Sequence, residues 1–175
     1  MESALTLRRY RPNDGPRVRE LHETAMRDAD AYVEDVPGDL ETVTETILEA
    51  GGEFLVGEVD DQIVAMGAFR PIDETDSVAT FVPDRPESTV ELTRLRVDPD
   101  YHRRGYGRRT YEELERRARS RDATQIVLDT MAKQTPARRL YESVGFEEVH
   151  RERIEAFDDP FELVIYRKSL TDSDA

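Results

Sequence analysis

Apolar positions along the chain change period several times, and each change marks an element. Leu5 and Leu7 alternate, so Leu5 to Tyr10 reads as a strand. Val18, Leu21 and Ala25 then recur at helical spacing and predict a helix over Pro16 to Ala29. Leu40, Val43, Ile47 and Leu48 predict a second helix from about Leu40 to Ala50, with Asp39 as N-cap and Gly51-Gly52 as its stop. Phe54 to Val59 and Gln62 to Phe69 are apolar runs split by Asp60-Asp61, a hairpin signal. Pro71 to Ser88 is polar and proline-containing and predicts a long loop. Val90 to Val97 is the next strand, followed by a helix over Gly107 to Arg121 carrying Tyr111, Leu114 and Ala118. Gln125 to Thr130 is a short buried strand. A helix comes next with Thr135 as N-cap and Pro136 at its first position, ending at Gly145. Glu147 to Ile154 and Phe161 to Arg167 are strands around a turn at Asp158-Asp159-Pro160. The order β-α-α-β-β-β-α-β-α-β-β implies an α/β protein with a mixed sheet covered on its faces. One domain over residues 1–168 and a flexible acidic tail over 169–175 are expected.

Composition narrows the chemistry. Without cysteine there is no disulfide, no thiolate catalysis and no Cys-ligated zinc. His22, His102 and His150 are widely spaced and argue against a metal site built on histidine. There is no apolar run of spanning length and no apolar core for a secretory leader near Met1, so a cytoplasmic protein without membrane insertion is expected. The 39 acids against 25 bases leave a net charge of −14, which repels nucleic acid and anionic membrane unless a basic patch is hidden. Of the bases only Lys133 and Lys168 are lysine. An acidic, lysine-poor surface suits a salt-rich cytosol of the haloarchaeal kind, where salt screens carboxylate repulsion. A GC-rich genome favouring arginine codons gives the same composition.

Two local features stand out. In the strand Val90 to Val97, Val90 and Leu92 share one face, whereas Leu95 and Val97 share the other. Strict alternation would keep them together, so the slip points to a β-bulge near Thr93-Arg94. A strand buried on both faces with tolerated arginines reads the same way. Between Arg94 and Arg109 there are six arginines and only two acids, Asp98 and Asp100, a basic island in an acidic chain. Gly105 and Gly107 sit there at a strand-to-helix junction, where amides and the helix start attract phosphate. Arg108-Arg109-Thr110 lacks the Lys-Ser/Thr of a P-loop, and Thr110 stands where a dinucleotide fingerprint needs glycine. A solvated arginine-rich turn is the plain alternative.

Three segments in order resemble the GCN5-related N-acetyltransferase (GNAT) superfamily. They are Glu91-Leu-Thr-Arg-Leu-Arg-Val97-Asp-Pro99, then Arg103-Arg104-Gly105-Tyr106-Gly107-Arg108, then Thr135-Pro-Ala137-Arg-Arg-Leu140-Tyr141-Glu-Ser-Val-Gly145-Phe146. Leu128-Asp129-Thr130 with Gln134 and Tyr141 is similar to the subgroup containing N-acetyltransferase 8-like enzymes. The resemblance implies a mixed, mostly antiparallel central sheet with a splayed β4–β5 pair and about four flanking helices. It implies acetyl-CoA as co-substrate, with no metal. The backbone of Leu95, Arg96 and Val97 would hold the pantetheine arm, and the amides of Arg103, Arg104, Gly105, Tyr106, Gly107 and Arg108 the pyrophosphate. Gln134, Ala137 and Tyr141 would also touch it. The loop opens on His102 where the family has Gln or Arg, and Gln134 replaces a common Asn.

The implied reaction is direct acetyl transfer to a primary amine in a ternary complex. An amine of pKa near ~10.4 needs a base at neutral pH, and Glu91, through water, is the candidate. Its alternative is a structural carboxylate. Tyr141 is the candidate acid for the departing sulfur, its alternative being core packing. A backbone N–H near Val97 is the expected oxyanion donor. A catalytically inactive acetyl-CoA-binding or sensing module, and a phosphate-binding domain of another class, are the rival readings. The acceptor, a small-molecule or peptide amine, would be met by the first two helices and the last hairpin. Asp28, Asp30, Glu34, Asp35 and Asp158-Asp159 there would suit a cationic amine. The last strands could also carry a homodimer contact.

Overall fold

The structure, a computed structural model, describes residues 4–31, 39–72, 77–155 and 160–171. Seven strands run β1 (Thr6–Arg9), β2 (Glu53–Val59), β3 (Gln62–Pro71), β4 (Thr89–Val97), β5 (Gln125–Met131), β6 (Glu147–Ile154) and β7 (Phe161–Ser169). The helices are α1 (Gly15–Asp28), α2 (Ser77–Phe81), α3 (Tyr106–Ser120) and α4 (Thr135–Ser143). The sheet order is β1-β2-β3-β4-β5-β7-β6. The β1–β2, β2–β3, β5–β7 and β6–β7 pairs are antiparallel, and β4–β5 is parallel. This is the mixed, mostly antiparallel fold class that the motif order implied. By contacts the chain divides into two compact units, residues 1–70 with 93–117, and residues 71–92 with 118–175.

In the first unit β2 and β3 form the hairpin at Asp60-Asp61, whose φ values of 51° and 64° are those of a type I′ turn. The apolar faces of α1 and of the segment after it meet the sheet: Val18, Leu21, Val43, Ile47, Phe54, Val56 and Met66 form one cluster. The helix expected over Leu40 to Ala50 is not continuous. A 3-10 turn at Asp39–Glu41 is followed by a π turn at Thr44–Leu48. Thr46 donates its hydroxyl to the carbonyl of Thr42 at 2.8 Å, and Glu49 N–H reaches back to Thr44. Threonine back-bonding and β-branching favour such a distortion over a regular α-helix. The side chain of Asp39, the expected cap, lies outside what is described. Glu53, with a side chain only 2% exposed, is clamped by Arg9 at 2.8 Å and Arg117 at 3.1 Å. That fastens β1 and α3 to β2. At Gly67 a Cβ would meet Leu114 at 2.8 Å and Leu95 at 3.0 Å, so this glycine lets β3, β4 and α3 pack closely.

In the second unit β5 pairs with β7 from Gln125↔Ser169 to Met131↔Leu163, and the start of β4 adds Thr89↔Gln125 to Glu91↔Val127. Val78, Val82, Val127, Leu163 and Ile165 form its core cluster. Three expectations change here. The loop over Pro71 to Ser88 contains the short helix α2, because Val78 and Val82 bury one face. Thr135 is inside α4 rather than capping it: Gln134, at φ −79° and ψ 65°, is the boundary residue. The Gln134 Oε1 accepts from Met131 N–H and from the Thr130 hydroxyl, both at 3.0 Å, which closes β5 and starts the helix one residue early. The tail expected from Ser169 begins later, since Ser169 ends β7 and buried Leu170 donates its N–H to Thr124. Residues 172–175 and the turn at Asp158-Asp159 lie outside the described residues.

Candidate active site

β4 passes from the second unit into the first, and its irregularity falls where the phase slip put it. Arg94 has φ 59°, a left-handed conformation that costs a non-glycine residue energy. Leu92 and Leu95, three apart, are both buried. An inserted residue does this to a strand. The Leu95 side chain is in the core. Its carbonyl accepts from Arg96 Nη1 at 2.9 Å. The Val97 carbonyl lies 3.1 Å from His102 Nε2. A carbonyl only accepts, so that contact assigns the His102 proton to Nε2. His102 is thus more than a surface residue of the turn: it ties the loop back to the strand.

Asp98 organises the turn that leaves β4. Its Oδ1 accepts from Asp100 N–H at 3.0 Å and caps the 3-10 turn Pro99–Tyr101. Its Oδ2 accepts from Arg17 of α1 at 3.0 Å, and Arg17 Nε also donates to the Ile63 carbonyl. The guanidinium of Arg104 lies 5.1 Å from the ring centre of Tyr101. Arg103 and Gly105 both have positive φ, 65° and 78°. The helical bond from Arg109 N–H to the Gly105 carbonyl comes next, at 3.0 Å. The amides of Gly105, Tyr106 and Gly107 precede it and have no acceptor within their helix. A Cβ on Gly105 would meet nothing within 4 Å, so the mouth of α3 is open. Amides, helix dipole and the exposed Arg103, Arg104 and Arg108 together suit a diphosphate. The side chain of Tyr106 is core, packed with Leu5, Val59, Val64 and Ala65.

The second unit holds Glu91, Gln134, Ala137 and Tyr141. Glu91 and Tyr141 are each 5% exposed, so both are available only to a ligand that enters the protein. Tyr141 faces Phe146 at 5.8 Å and Tyr166 at 6.1 Å between ring centres. The Tyr166 hydroxyl accepts from Arg138 Nε and donates to Glu142 at 2.8 Å. Burial, with Glu142, pushes this phenol above its ordinary pKa, so it stays protonated. Tyr166, Arg138 and Glu142 therefore brace α4 beneath Tyr141. Ala137 is half-buried in the first turn of α4. Gln134 spends its amide oxygen inside the protein, on Met131 and Thr130. A cavity of about 430 Å³ beside α2, lined by Ile72, Ala79, Arg85, Glu87 and Thr89, includes none of the expected site residues.

Asp98, Arg17, His22 and the Tyr166 brace escaped the sequence reading. Asp98-Pro99 carried a usable signal, a capping residue before proline at the first position of a turn. The others depend on contacts between residues far apart in the chain. Of the acids considered for the acceptor, Asp28 and Asp30 are exposed near the end of α1, while Glu34, Asp35, Asp158 and Asp159 lie outside the described residues. Among the described residues no cluster of three or more His, Cys, Asp or Glu could hold a metal, and no helix is long and apolar enough to cross a membrane.

Human N-acetyltransferase 8 is 29% identical over 109 residues, which is 62% of this chain and 44% of that protein. Rat N-acetyltransferase 8F1 is 28% identical over a stretch of the same length, 46% of its own. The matched stretch thus covers less than half of these relatives. The structure of a ribosomal-protein-alanine N-acetyltransferase from Brucella melitensis is 24% identical with a TM-score of 0.77, covering 94% of this chain and 99% of that one. The structure of yncA from Salmonella typhimurium with its cofactor acetyl-CoA is 20% identical with a TM-score of 0.78, covering 99% and 98%. The model of the acetyltransferase (GNAT) family matches residues 16–146, a stretch that takes in the bulged strand, the arginine loop and α4. The chain belongs to the acetyltransferase (GNAT) family.

Proposed function

We propose that this protein transfers the acetyl group of acetyl-CoA to a primary amine by direct attack, with both substrates bound together. The observation that carries the reading is the left-handed Arg94 in β4, followed at once by a capped turn whose amides lead into the open start of α3. In this reading the backbone of Leu95, Arg96 and Val97 lies along the pantetheine arm, and the amides from Arg103 to Arg108 hold the pyrophosphate. Gln134 and Ala137 contribute contacts from the start of α4.

Acetyl-CoA supplies an activated carbonyl. The amine nitrogen forms a bond to that carbon, the carbon–sulfur bond breaks, the nitrogen loses one proton and the sulfur gains one. Glu91 is assigned the nitrogen's proton, taken through water, and Tyr141 is assigned delivery to sulfur. A thiol of pKa ~8.5 is a fair leaving group, and a phenol near ~10 can protonate its anion as it departs. The Val97 amide is assigned to the developing oxyanion. No cysteine exists to form a thioester acyl-enzyme, which favours the direct route.

Thermal shift with acetyl-CoA, CoA and ATP, together with thiol release across an amine panel, tests the reading. Acetyl-CoA and CoA should stabilise the protein and ATP should not. Stabilisation without thiol release from any amine leaves a binding module, and no stabilisation by acetyl-CoA removes the proposal. Tyr141→Phe should lower kcat by ~10- to 10³-fold with acetyl-CoA affinity nearly intact. Equal activity would refute the acid role. We also read the acidic, lysine-poor composition as adaptation to concentrated salt in a cytosolic setting.

A further inference from the structure

The cavity of about 430 Å³ beside α2 lies wholly inside the second unit and has the volume of a small-molecule site. Thr89 forms part of its wall, and Glu91 follows two residues later on the same strand. Side chains two apart on a strand point to one face. Register partners of a parallel pair share a face as well, and Glu91 pairs with Val127. Val127 in turn packs with Val78 of α2 and with Val82 just after it. The cavity and the buried Glu91 therefore lie on the same side of the sheet, the side that α2 covers. The wall gives a ligand little to hydrogen-bond. Pro71, Pro83 and Pro86 have no N–H to donate. The Thr89 hydroxyl donates to Gln125 Oε1 at 3.1 Å. Arg85 Nη1 donates to the carbonyls of Val82 and Ala79 at 3.0 and 3.3 Å, across the end of α2. Ile72 and the Ala79 methyl add hydrocarbon, and the charges of Arg85 and Glu87 cancel.

We propose that this cavity receives the uncharged, apolar body of the acceptor, which is a monoamine carrying a hydrocarbon substituent, with its nitrogen directed along β4 towards Glu91. This rests on the acetyl-transfer reading, since it is that reading which assigns Glu91 the nitrogen's proton. A second ammonium or a carboxylate at the far end of the acceptor would give up hydration in the cavity and meet no net opposite charge. A hydrocarbon end loses nothing there and leaves water. The acceptor's body is thus held beside α2, a helix where the sequence predicts loop, rather than by Asp28 and Asp30.

The test is thiol release from acetyl-CoA with the series ethylamine, propylamine, butylamine and pentylamine, and with 1,5-diaminopentane and 5-aminopentanoate as charged-end arms. Each added methylene should raise kcat/KM about fourfold, so that pentylamine exceeds ethylamine by roughly 60-fold. Both charged-end amines should fall at least ~10-fold below pentylamine. Pro83→Trp, at an exposed position of the wall, should cut the pentylamine-to-ethylamine ratio to below ~10 by filling the space, with stabilisation by acetyl-CoA showing that the variant is folded. Methyl NMR of the CoA complex gives a readout on the unaltered protein without turnover. Pentylamine should shift the Ile72 and Ala79 methyl signals, and 1,5-diaminopentane at the same concentration should not. A flat series, a charged-end amine that matches pentylamine, or unmoved methyl signals overturns the proposal while stabilisation by acetyl-CoA is retained. Stabilisation by acetyl-CoA with no thiol release from any of these amines overturns it too. Absence of that stabilisation defeats the acetyl-transfer reading first, and this proposal with it.

Discussion

Asp98 is the residue whose loss should damage both folding and donor binding. In Asp98→Ala the cap on Asp100 N–H disappears, a loss of about 1 kcal/mol. The bond from Arg17 disappears as well. Side chains 13% and 23% exposed place this pair between surface and core, and a hydrogen bond to a charged group is worth roughly 1.5–3 kcal/mol. Arg17 keeps Glu20 and the Ile63 carbonyl, so the lower figure applies. The total is about 2.5 kcal/mol, equivalent to roughly 5–10 °C in Tm for a chain of this size. Asp98→Asn retains a capping oxygen and should lose about 1 kcal/mol. The turn Pro99–Tyr101 positions the arginine loop after it, so acetyl-CoA affinity in Asp98→Ala should fall about tenfold. Calorimetric melting and titration of acetyl-CoA measure both effects. If Asp98→Ala melts within 2 °C of the parent (~1 kcal/mol or less), or Asn is no better than Ala, the capping argument is wrong.

Further outcomes come from the charges. Glu53→Ala should cost about 2–4 kcal/mol in urea unfolding, short of the full penalty for a broken buried pair because Arg9 is half-exposed and Arg117 retains Glu113. A loss under about 1 kcal/mol would mean that the clamp is incidental. His22 is protonated in the unfolded chain below its usual 6.5 and, because burial, then Arg96, then Arg94, disfavour its charge, resists protonation in the folded one down to about 3. The unfolded state therefore binds more protons between these limits, and stability falls as pH drops from 6.5 towards 3. His22→Gln should flatten that slope by a fraction of the ~1.36 kcal/mol per pH unit of one full proton, and superimposable profiles would contradict this. Glu113, held down to about 2 by Arg116 and then Arg117, acts with the same sign: its stabilisation is present above the usual 4.5 and lost as pH falls through 2. Melting in molar salt should exceed melting in dilute buffer if the acidic composition is an adaptation to salt, and equal values would end that idea.

Periodicity and punctuation made much of the chain readable. Asp60-Asp61 between two apolar runs became a hairpin, Gly145 at φ 105° ends α4, and the slip from Leu92 to Leu95 became a left-handed Arg94. These are local, because backbone sterics and a change of phase are written in adjacent residues. The segment Leu40–Leu48 had its buried residues identified and its helix type wrong. Burial tracks apolar spacing, whereas the choice between α and π depends on whether threonine hydroxyls take the carbonyls.

The order of residues alone determined the fold class, the irregular strand, the basic loop before a helix and the absence of thiol chemistry. Each depends on residue type and short spacing, which a chain carries before it folds. Tertiary structure decided which charges meet, Glu53 with Arg117 and Asp98 with Arg17, and set the neutral His22 beside Arg94 and Arg96. In this chain 64 side chains are formally charged, so many pairings are open to each one. Composition cannot choose among them, because Coulomb attraction names no partner until packing brings two groups within a few ångströms and removes the water between them.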